Sequence, residues 1–252
     1  MFSKPILNLP TKRLQIKPLT RQKLHDTAVE RVSLIAKEFT NGFNFLRDYP
    51  KSVTIFGGEY FTESNEEYIK ARSLAGRIAK ELSYAVFTGG GPGIMEAANR
   101  GAFEAGGQSI GLTIELPAHQ VQNKYLTKYL NFYYFFSRKV CLSFSAEAYV
   151  FFPGGYGTLD EFFEIITLVQ TGKIKKIPII LFGGDYWNPI QELLKKELLE
   201  RGTIDSDDLK LYIITHDENE VLEIIRNAPI NNGIKFTHKD LESSGILVDK
   251  MS

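Results

Sequence analysis

The sequence predicts an α/β protein with a doubly wound, mainly parallel sheet and an N-terminal helical extension. Short, uniformly apolar runs alternate with stretches of helical periodicity. Such runs are typical of parallel strands that are buried on both faces. Two of the runs end in glycine-rich loops that lead directly into a helix. This alternation predicts an open sheet covered by helices, with ligands at the C-terminal ends of its strands.

Residues 1–50 precede the first apolar run and form the predicted extension. Pro5, Pro10 and Pro18, together with scattered Lys and Arg, indicate an extended arm over about the first 20 residues. From about Thr27 to Tyr49, apolar residues recur every three to four positions, which predicts an amphipathic helix. We expect this helix to cover either the following domain or a partner subunit.

Residues 51–228 are predicted to form the α/β domain, and residues 229–252 a tail or a short added element. The predicted strands are Ser52–Phe56, Tyr84–Thr88, Ser109–Ile114, Ala148–Phe152, Ile177–Phe182 and Leu211–Thr215. The predicted helices are Glu66–Leu82, the segment that ends at Ala105, Thr158–Thr171, Pro189–Arg201 and Val221–Asn227. Gly106-Gly107 after the second helix is a typical C-terminal signal.

Composition limits the compartment and the partners. Lys+Arg and Asp+Glu both number 30 in the 252 residues, whereas non-specific nucleic-acid binders are usually basic. Cys141 is the single cysteine, so no intrachain disulfide can form, and we infer a reducing compartment. No apolar run approaches the ~18–20 residues of a membrane span, and the N-terminus lacks a signal-peptide pattern. We therefore expect a cytoplasmic protein that binds neither nucleic acid nor membranes.

Two glycine-rich loops are the strongest functional signal. The first reads Thr88-Gly-Gly-Gly-Pro-Gly-Ile-Met-Glu96 and the second Pro153-Gly-Gly-Tyr-Gly-Thr-Leu-Asp-Glu161. Glycines let a phosphate approach backbone N–H groups, and a helix N-terminus adds unpaired donors and a positive partial charge. One such loop is equally well explained as a tight turn. Two at the same sheet edge favour a phosphate ligand.

Other nucleotide motifs fit less well. The dinucleotide fingerprint G-x-G-x-x-G requires a third glycine, but here Gly89 and Gly91 are followed by Ile94. Glu115 ends the next strand at roughly the position of the fingerprint's acidic residue, which keeps a dinucleotide-binding interpretation open. The pattern G-x-x-x-x-G-K-[ST] of P-loop NTPases is absent. The four histidines follow no metal-ligand spacing, so we expect neither a metal nor a cofactor.

Three charged residues are candidates for chemistry, each with a structural alternative. Thr158-x-x-Glu161 fits a capping box, but a carboxylate at this position could also stabilise the oxocarbenium-like state of N-glycosidic cleavage. Arg138-Lys139 is either a solvated basic pair or includes an arginine that binds phosphate or base. Cys141 has no motif around it and is expected to be buried and inert.

These motifs resemble those of the LOG (LONELY GUY) family, many of whose members carry the older label "possible lysine decarboxylase". The resemblance rests on Gly89-Gly-Gly-Pro-Gly-Ile-Met-Glu-Ala-Ala-Asn-Arg-Gly-Ala102, Ser137-Arg-Lys139 and the complete P-G-G-x-G-T-x-x-E pattern of the second loop. It covers roughly residues 51–226. It implies a Rossmann-like fold, at least a homodimer, and hydrolysis of nucleoside 5′-monophosphates to free base and ribose 5-phosphate.

The resemblance also implies roles for individual residues. Arg138 and Glu161 match the family's catalytic pair, and Glu96 matches an acid near the nucleotide. Substrate or phosphate binding is expected at Gly57, Gly58, Gly90, Gly91, Gly93, Met95, Glu96, Lys139, Pro153, Gly154, Gly155, Tyr156, Gly157 and Thr158.

One segment departs from the family pattern. After the first strand, relatives often read F-G-S-A-R or C-G-S-S, whereas this chain reads Phe56-Gly-Gly-Glu-Tyr60. The base is therefore open: AMP, cytokinin-type nucleotides and other purine or pyrimidine monophosphates are all candidates. A non-catalytic nucleotide or molybdenum-cofactor carrier is the main alternative, and a dinucleotide-dependent oxidoreductase is a weaker one. Lysine decarboxylation would need a pyridoxal-bearing lysine, for which the sequence shows no site.

Overall fold

The structure, a computed structural model, describes residues 20–115 and 122–228. The predicted arm and the predicted tail lie outside these ranges. The chain divides into two compact units, Met1–Lys37 and Glu38–Ser252. Within the first unit, the described residues form the start of helix α1 (Arg21–Leu46), and almost all of them are exposed. The predicted amphipathic helix is confirmed, although it begins six residues earlier than Thr27.

The second unit contains one seven-stranded sheet in the order β4-β3-β2-β1-β5-β6-β7, in which every pairing is parallel. The doubly wound parallel α/β fold is therefore confirmed. The strands are β1 (Ser52–Phe56), β2 (Ala85–Thr88), β3 (Ser109–Ile114), β4 (Lys128–Phe132), β5 (Ala148–Phe151), β6 (Ile179–Phe182) and β7 (Ile213–Thr215).

Helices connect most of these strands. They are α2 (Glu66–Arg77), α3 (Ile94–Glu104), α4 (Phe135–Phe144), α5 (Tyr156–Gln170), α6 (Gly184–Leu194) and α7 (Glu218–Arg226). Helix α2 continues as a π-helical turn (Ile78–Leu82), and α6 continues as a second one (Lys195–Leu199). A 3₁₀ turn (Asp208–Lys210) precedes β7. None of the helices within the described ranges is long and apolar enough to cross a membrane.

The core lies on both faces of the sheet. Successive residues of a strand point to opposite faces, and in β5 both Val150 and Phe151 are completely buried. Val150 belongs to the cluster that includes Ile55, whereas Phe151 packs in the opposite cluster with Trp187. Two apolar faces explain why the central strands read as continuous apolar runs rather than as an alternating pattern.

Three elements differ from the sequence expectation. Strand β4 and helix α4 were not predicted. β4 is an edge strand with mostly exposed side chains and therefore lacks the apolar run of a buried strand. The helix predicted to start at Pro189 begins at Gly184 instead, because the fully buried Trp187 belongs to its first turns. The helix tolerates Pro189 because the carbonyl that this residue leaves without an N–H donor lies in the first turn of the helix.

Candidate active site

The candidate site lies at the carboxyl ends of β1, β2 and β5. The strand order reverses at β1, which pairs with β2 on one side and with β5 on the other. In open parallel sheets this reversal opens a crevice in which ligands bind. Gly57-Gly58 and the two predicted glycine-rich loops leave the sheet at this edge, so the fold brings these three segments together.

Backbone hydrogen bonds of Gly58 connect the three loops. The Gly58 N–H donates to the carbonyl of Pro153 at 3.0 Å, and the Ile94 N–H donates to the carbonyl of Gly58 at 2.9 Å. A Cβ atom at Gly58 would lie 2.9 Å from the Phe61 ring and 3.2 Å from Cα of Gly154. Phe61 therefore occupies the space that a larger side chain at this position would need.

The glycines fall into two groups. Gly93 has φ +72°, and a Cβ atom there would lie 2.3 Å from the carbonyl oxygen of Gly58; at Gly154 it would lie 2.1 Å from Oγ1 of Thr158. These two positions permit close packing between loops. In contrast, a Cβ atom at Gly155 or Gly157 would meet no atom within 4 Å. The second pair leaves the backbone of the second loop accessible to a ligand.

Gly155 is the N-cap of α5. The first residues of α5 are exposed. Gly155, Tyr156 and Gly157 are all exposed, whereas Thr158 is buried. The first N–H groups of a helix have no partner within the helix, and they favour an anion at this position. The second loop therefore offers exposed N–H donors at a helix start, a position that suits an anion.

The first loop is held by a buried polar network that the sequence analysis missed. The Gly90 N–H donates to Oγ1 of Thr88 at 2.9 Å, and the Thr88 hydroxyl donates to Oδ1 of Asn99 at 2.6 Å. Asn123 donates from Nδ2 to the carbonyl of Gly91 and to Oδ1 of Asn99. Polar residues within an apolar strand and helix were the available signal.

Glu161 lies in α5 with its side chain directed into the protein. The residue is only 7% exposed, and its Oε2 is buried without a hydrogen-bond partner among the described residues. Burial raises the pKa of Glu161 to about 7, although Lys139 and Arg138 act to lower it. The capping-box interpretation is wrong, because α5 begins at Tyr156 and Thr158 is already inside the helix.

Arg138 lies in the first turn of α4 and is partly buried. Its Nη1 donates to the carbonyl of Leu112 at 3.4 Å, while its Nε is buried without a partner within the described part of the chain. The guanidinium carbon lies 5.8 Å from the centre of the Phe135 ring. Burial lowers the pKa of Arg138, and the charge of Glu161 opposes this shift. Arg138 is therefore not a solvated surface arginine.

Lys139 contacts different groups from Arg138. Its Nζ lies 2.7 Å from Oδ2 of Asp160 and 2.7 Å from Oε2 of Glu164. Both acids belong to α5, so Lys139 links α4 to the helix that carries Glu161. The sequence grouped Lys139 with the substrate-binding residues, and the structure pairs its ammonium group with these two carboxylates.

Met95 and Glu96 lie at the start of α3. A Cβ atom at Gly89 would lie 2.8 Å from Sδ of Met95 and 3.1 Å from Nη1 of Arg138, so these side chains meet at the first loop. Oε1 of Glu96 accepts a hydrogen bond from Oη of Tyr68 at 3.0 Å. Tyr68, on α2, is a further residue that sequence reasoning missed. Burial is the main cause that raises its pKa to about 12.

Two further predictions concern Cys141 and metal binding. Cys141 is completely buried, as expected, and burial raises the pKa of its thiol to about 12. Within residues 20–115 and 122–228, no three His, Cys, Asp or Glu side chains are grouped closely enough to hold a metal ion.

Comparison with known proteins adds family information. Residues 95–225 match the family model described as "possible lysine decarboxylase". The cytokinin riboside 5′-monophosphate phosphoribohydrolase of Rhodococcoides fascians is 26% identical over 183 residues, which are 72% of this chain and 92% of that protein. The enzyme of the same name, LOG5, from Arabidopsis thaliana is 24% identical over 187 residues, covering 73% of this chain and 81% of the relative.

Solved structures support the fold. The molybdenum cofactor binding protein of Rippkaea orientalis has a TM-score of 0.54 and 21% identity, covering 70% of this chain and 95% of that protein. The molybdenum cofactor carrier protein of Chlamydomonas reinhardtii has a TM-score of 0.53 and 20% identity, with coverage of 71% and 97%. At this level of identity, the similarity shows a shared fold.

Proposed function

The chain belongs to the family described as "possible lysine decarboxylase", and on this premise we propose that it is a nucleoside 5′-monophosphate phosphoribohydrolase. Water cleaves the N-glycosidic bond between base and ribose. Its oxygen becomes the hydroxyl on the anomeric carbon of ribose 5-phosphate, and the base leaves with a proton. The curated relatives that carry a phosphoribohydrolase name support this reaction class.

The buried carboxyl of Glu161 is the observation that carries the proposal. Its Oε2 lacks a protein partner among the described residues, although buried polar atoms are nearly always paired. The carboxyl lies on the helix that follows the second loop. When ionised, it stabilises the positive charge that develops at the anomeric carbon in the transition state. It can also accept hydrogen bonds from ribose hydroxyls.

The second loop supplies the phosphate site in this proposal. The exposed first turn of α5 offers backbone N–H donors, and Thr158 adds a hydroxyl beside Gly154. Binding the phosphate there fixes the ribose, which removes much of the entropic cost of the reaction. A phosphate next to a carboxylate would be repelled, so the sugar, rather than the phosphate, faces Glu161.

Arg138 is the second catalytic group in this proposal. Its guanidinium lies at the edge of the first loop, with Nε unpaired within the described residues and Nη1 near Gly89. Arginine forms bidentate contacts that orient planar groups. Arg138 positions the substrate and stabilises the departing base.

The test is a product assay. The protein is incubated with AMP, cytokinin riboside 5′-monophosphates and other purine and pyrimidine monophosphates, and free base is separated by chromatography. The names of the relatives make cytokinin riboside 5′-monophosphate the first substrate to test. Glu161→Gln is the matched inactive control. If the wild-type protein releases no base from any monophosphate at high concentration, the proposal is wrong; a ligand that co-purifies with the protein without turnover would favour the carrier alternative.

We also propose that the protein is a cytoplasmic homodimer. Several large apolar side chains around the start of α4 are exposed, including Tyr133 at 66%, Phe135 at 54% and Phe136 at 47%. Clustered apolar exposure of this kind marks association surfaces. Analytical ultracentrifugation tests the dimer, and cell fractionation tests the compartment.

A further inference from the structure

Glu38 of helix α1 binds the start of helix α4. Its Oε1 accepts the backbone N–H of Tyr133 at 2.6 Å, and its Oε2 accepts the N–H of Tyr134 at 3.3 Å. The same Oε2 accepts the hydroxyl of Ser137 at 2.5 Å. One carboxylate therefore receives three hydrogen bonds from a segment that lies about 95 residues further along the chain.

This contact replaces a local helix cap. Tyr134 is the N-cap of α4 and provides no side-chain cap. The first N–H groups of a helix need partners from outside the helix, and a negative charge at this end also interacts favourably with the helix dipole. Glu38 accepts the N–H of the N-cap Tyr134 and places its negative charge at this end of the helix, while the N–H of Tyr133 that it also accepts belongs to the residue before the N-cap.

The contact continues along α1. One turn after Glu38, a Cβ atom at Gly42 would lie 2.3 Å from Sγ of Cys141. The Phe39 and Phe136 rings are 6.4 Å apart, and those of Phe43 and Phe144 are 5.7 Å apart. Residues 38–46 therefore pack closely against α4. This packing fixes the position of Glu38 relative to the start of α4.

We propose that Glu38 is a positioning residue that fixes the start of α4 and thereby places Arg138 opposite Glu161. Arg138 directly follows Ser137, one of the three groups that Glu38 binds. Glu38 lies outside residues 95–225, the range that matches the family. The inference rests on the proposed function, because it gives Glu38 a role through a proposed catalytic residue.

The electrostatics of Glu161 provide a specific readout. Lys139 and Arg138, both on α4, lower the pKa of Glu161, whereas burial and the neighbouring Glu164 and Asp160 on its own helix raise it. If the start of α4 moves away, the two cations act more weakly on Glu161. Its pKa then rises, and the pH dependence of kcat/KM shifts to higher pH. A general loss of stability would lower the amount of active enzyme without this shift.

The experiment compares Glu38→Ala and Glu38→Gln with Glu30→Ala, a control at an exposed acid of the same helix. Activity on AMP is measured as a function of pH, and hydrogen exchange is measured at the amides of residues 133–134. We expect Glu38→Ala to lower kcat ~10- to 100-fold, the typical effect of a misplaced catalytic group. The pH midpoint should rise and the amides of residues 133–134 should exchange faster. Glu38→Gln keeps one acceptor oxygen and should be intermediate, and Glu30→Ala should match the wild type.

Several outcomes would overturn the proposal. A folded Glu38→Ala with wild-type kcat and pH midpoint would do so, as would a loss of activity with neither a pH shift nor faster exchange. If wild-type protein releases no base, the proposed function fails, and unchanged exchange at residues 133–134 in Glu38→Ala would then refute the cap by itself. If Glu38→Ala does not fold, Ser137→Ala must show the same shifts at smaller size, and wild-type behaviour of that variant would refute the role.

Discussion

The backbone N–H of Gly58 donates to the carbonyl of Pro153 at 3.0 Å and joins the loop after β1 to the loop after β5. This bond crosses the point at which the strand order reverses. Because the carbonyl of Gly58 also accepts the N–H of Ile94, a single residue without a side chain is hydrogen-bonded to both predicted ligand loops. The geometry of the site therefore depends on how closely backbone can approach backbone.

Gly93→Ala tests this dependence. Gly93 has φ +72°, and an alanine Cβ would lie 2.3 Å from the carbonyl oxygen of Gly58. We expect the variant to lose most of its activity and to be destabilised by about 3 kcal/mol, because a tight overpacking contact adds to backbone strain. Denaturant unfolding and the base-release assay measure the two effects.

Gly106→Ala is the control for a positive φ alone, because Gly93 also has ψ −131°, outside the left-handed helical region. The φ of Gly106 is +73°, but an added Cβ would meet nothing within 4 Å. Only backbone strain is introduced, so we expect a loss of about 1 kcal/mol and wild-type kcat. Equal losses of stability and activity in both variants would show that the contact with Gly58 is unimportant.

Much of the fold was predictable because strands that are buried on both faces appear in the sequence as continuous apolar runs. Ser52–Phe56 and Ser109–Ile114 were predicted with their observed bounds, since both strands are completely buried. β4 was missed because an edge strand exposes most of its side chains and shows no apolar run. α4 was missed because its N-cap, Tyr134, offers no side-chain cap, and Glu38, which binds this end of the helix, is distant in sequence.

In the candidate site, too, local patterns were predictable and contacts between distant elements were not. The glycine-rich loops were recognised from the sequence because repeated glycines after a buried strand are a local pattern, and at Gly93 and Gly154 the close approach of the loops requires glycine. Tyr68 and Asn99 were not recognised, since both act through partners on other elements: Tyr68 reaches Glu96 from α2, and Asn99 binds Thr88 and Asn123. Local spacing also suggested a capping box at Thr158, and only the observed helix start at Tyr156 removes it.

Glu161→Gln is predicted to lower kcat by at least ~100-fold, the usual loss for one electrostatic catalytic group. The amide keeps the size of the side chain but carries no charge toward the sugar. The assay is base release by a variant whose circular dichroism matches the wild type. Near-normal turnover in such a variant would remove Glu161 from the mechanism.

The same substitution should stabilise the folded protein. The pKa of Glu161 is raised from 4.5 to about 7, so between these values the folded state retains a proton that the unfolded state has lost. Stability therefore falls as pH rises through this window, and the full cost remains above pH 7. We expect Glu161→Gln to exceed the wild type by about 3 kcal/mol at pH 8, with the difference vanishing near pH 4. Parallel unfolding profiles would contradict the raised pKa.

Lys139→Met should shift the pH dependence of catalysis. If Glu161 acts as proposed, kcat/KM of the free enzyme should rise as its carboxyl ionises, with a pKa of about 7, and Lys139 is the strongest of the groups that lower this pKa. Removing the ammonium also leaves Asp160 and Glu164 without their shared cation. The midpoint should move to higher pH. Lys210→Met, which removes an exposed ammonium that pairs with Asp207, should leave the midpoint unchanged.

Tyr68→Phe tests whether Glu96 must be oriented to bind substrate. Tyr68 is almost fully buried, and its hydroxyl donates to Oε1 of Glu96 at 3.0 Å. Phenylalanine preserves the ring and removes this donor, together with the interaction between the hydroxyl and Arg100. We expect KM to rise by up to about tenfold, the equivalent of one hydrogen bond to a charged group, while kcat changes little because Glu161 and Arg138 are untouched.

Tyr49→Phe separates this effect from the removal of any buried hydroxyl. The Oη of Tyr49 is buried with no hydrogen-bond partner in the described ranges. Removing an unpaired buried polar atom does not lower stability, whereas removing the Tyr68 hydroxyl should cost about 1 kcal/mol. If Tyr68→Phe and Tyr49→Phe have the same KM, the hydrogen bond from Tyr68 to Glu96 has no role in substrate binding.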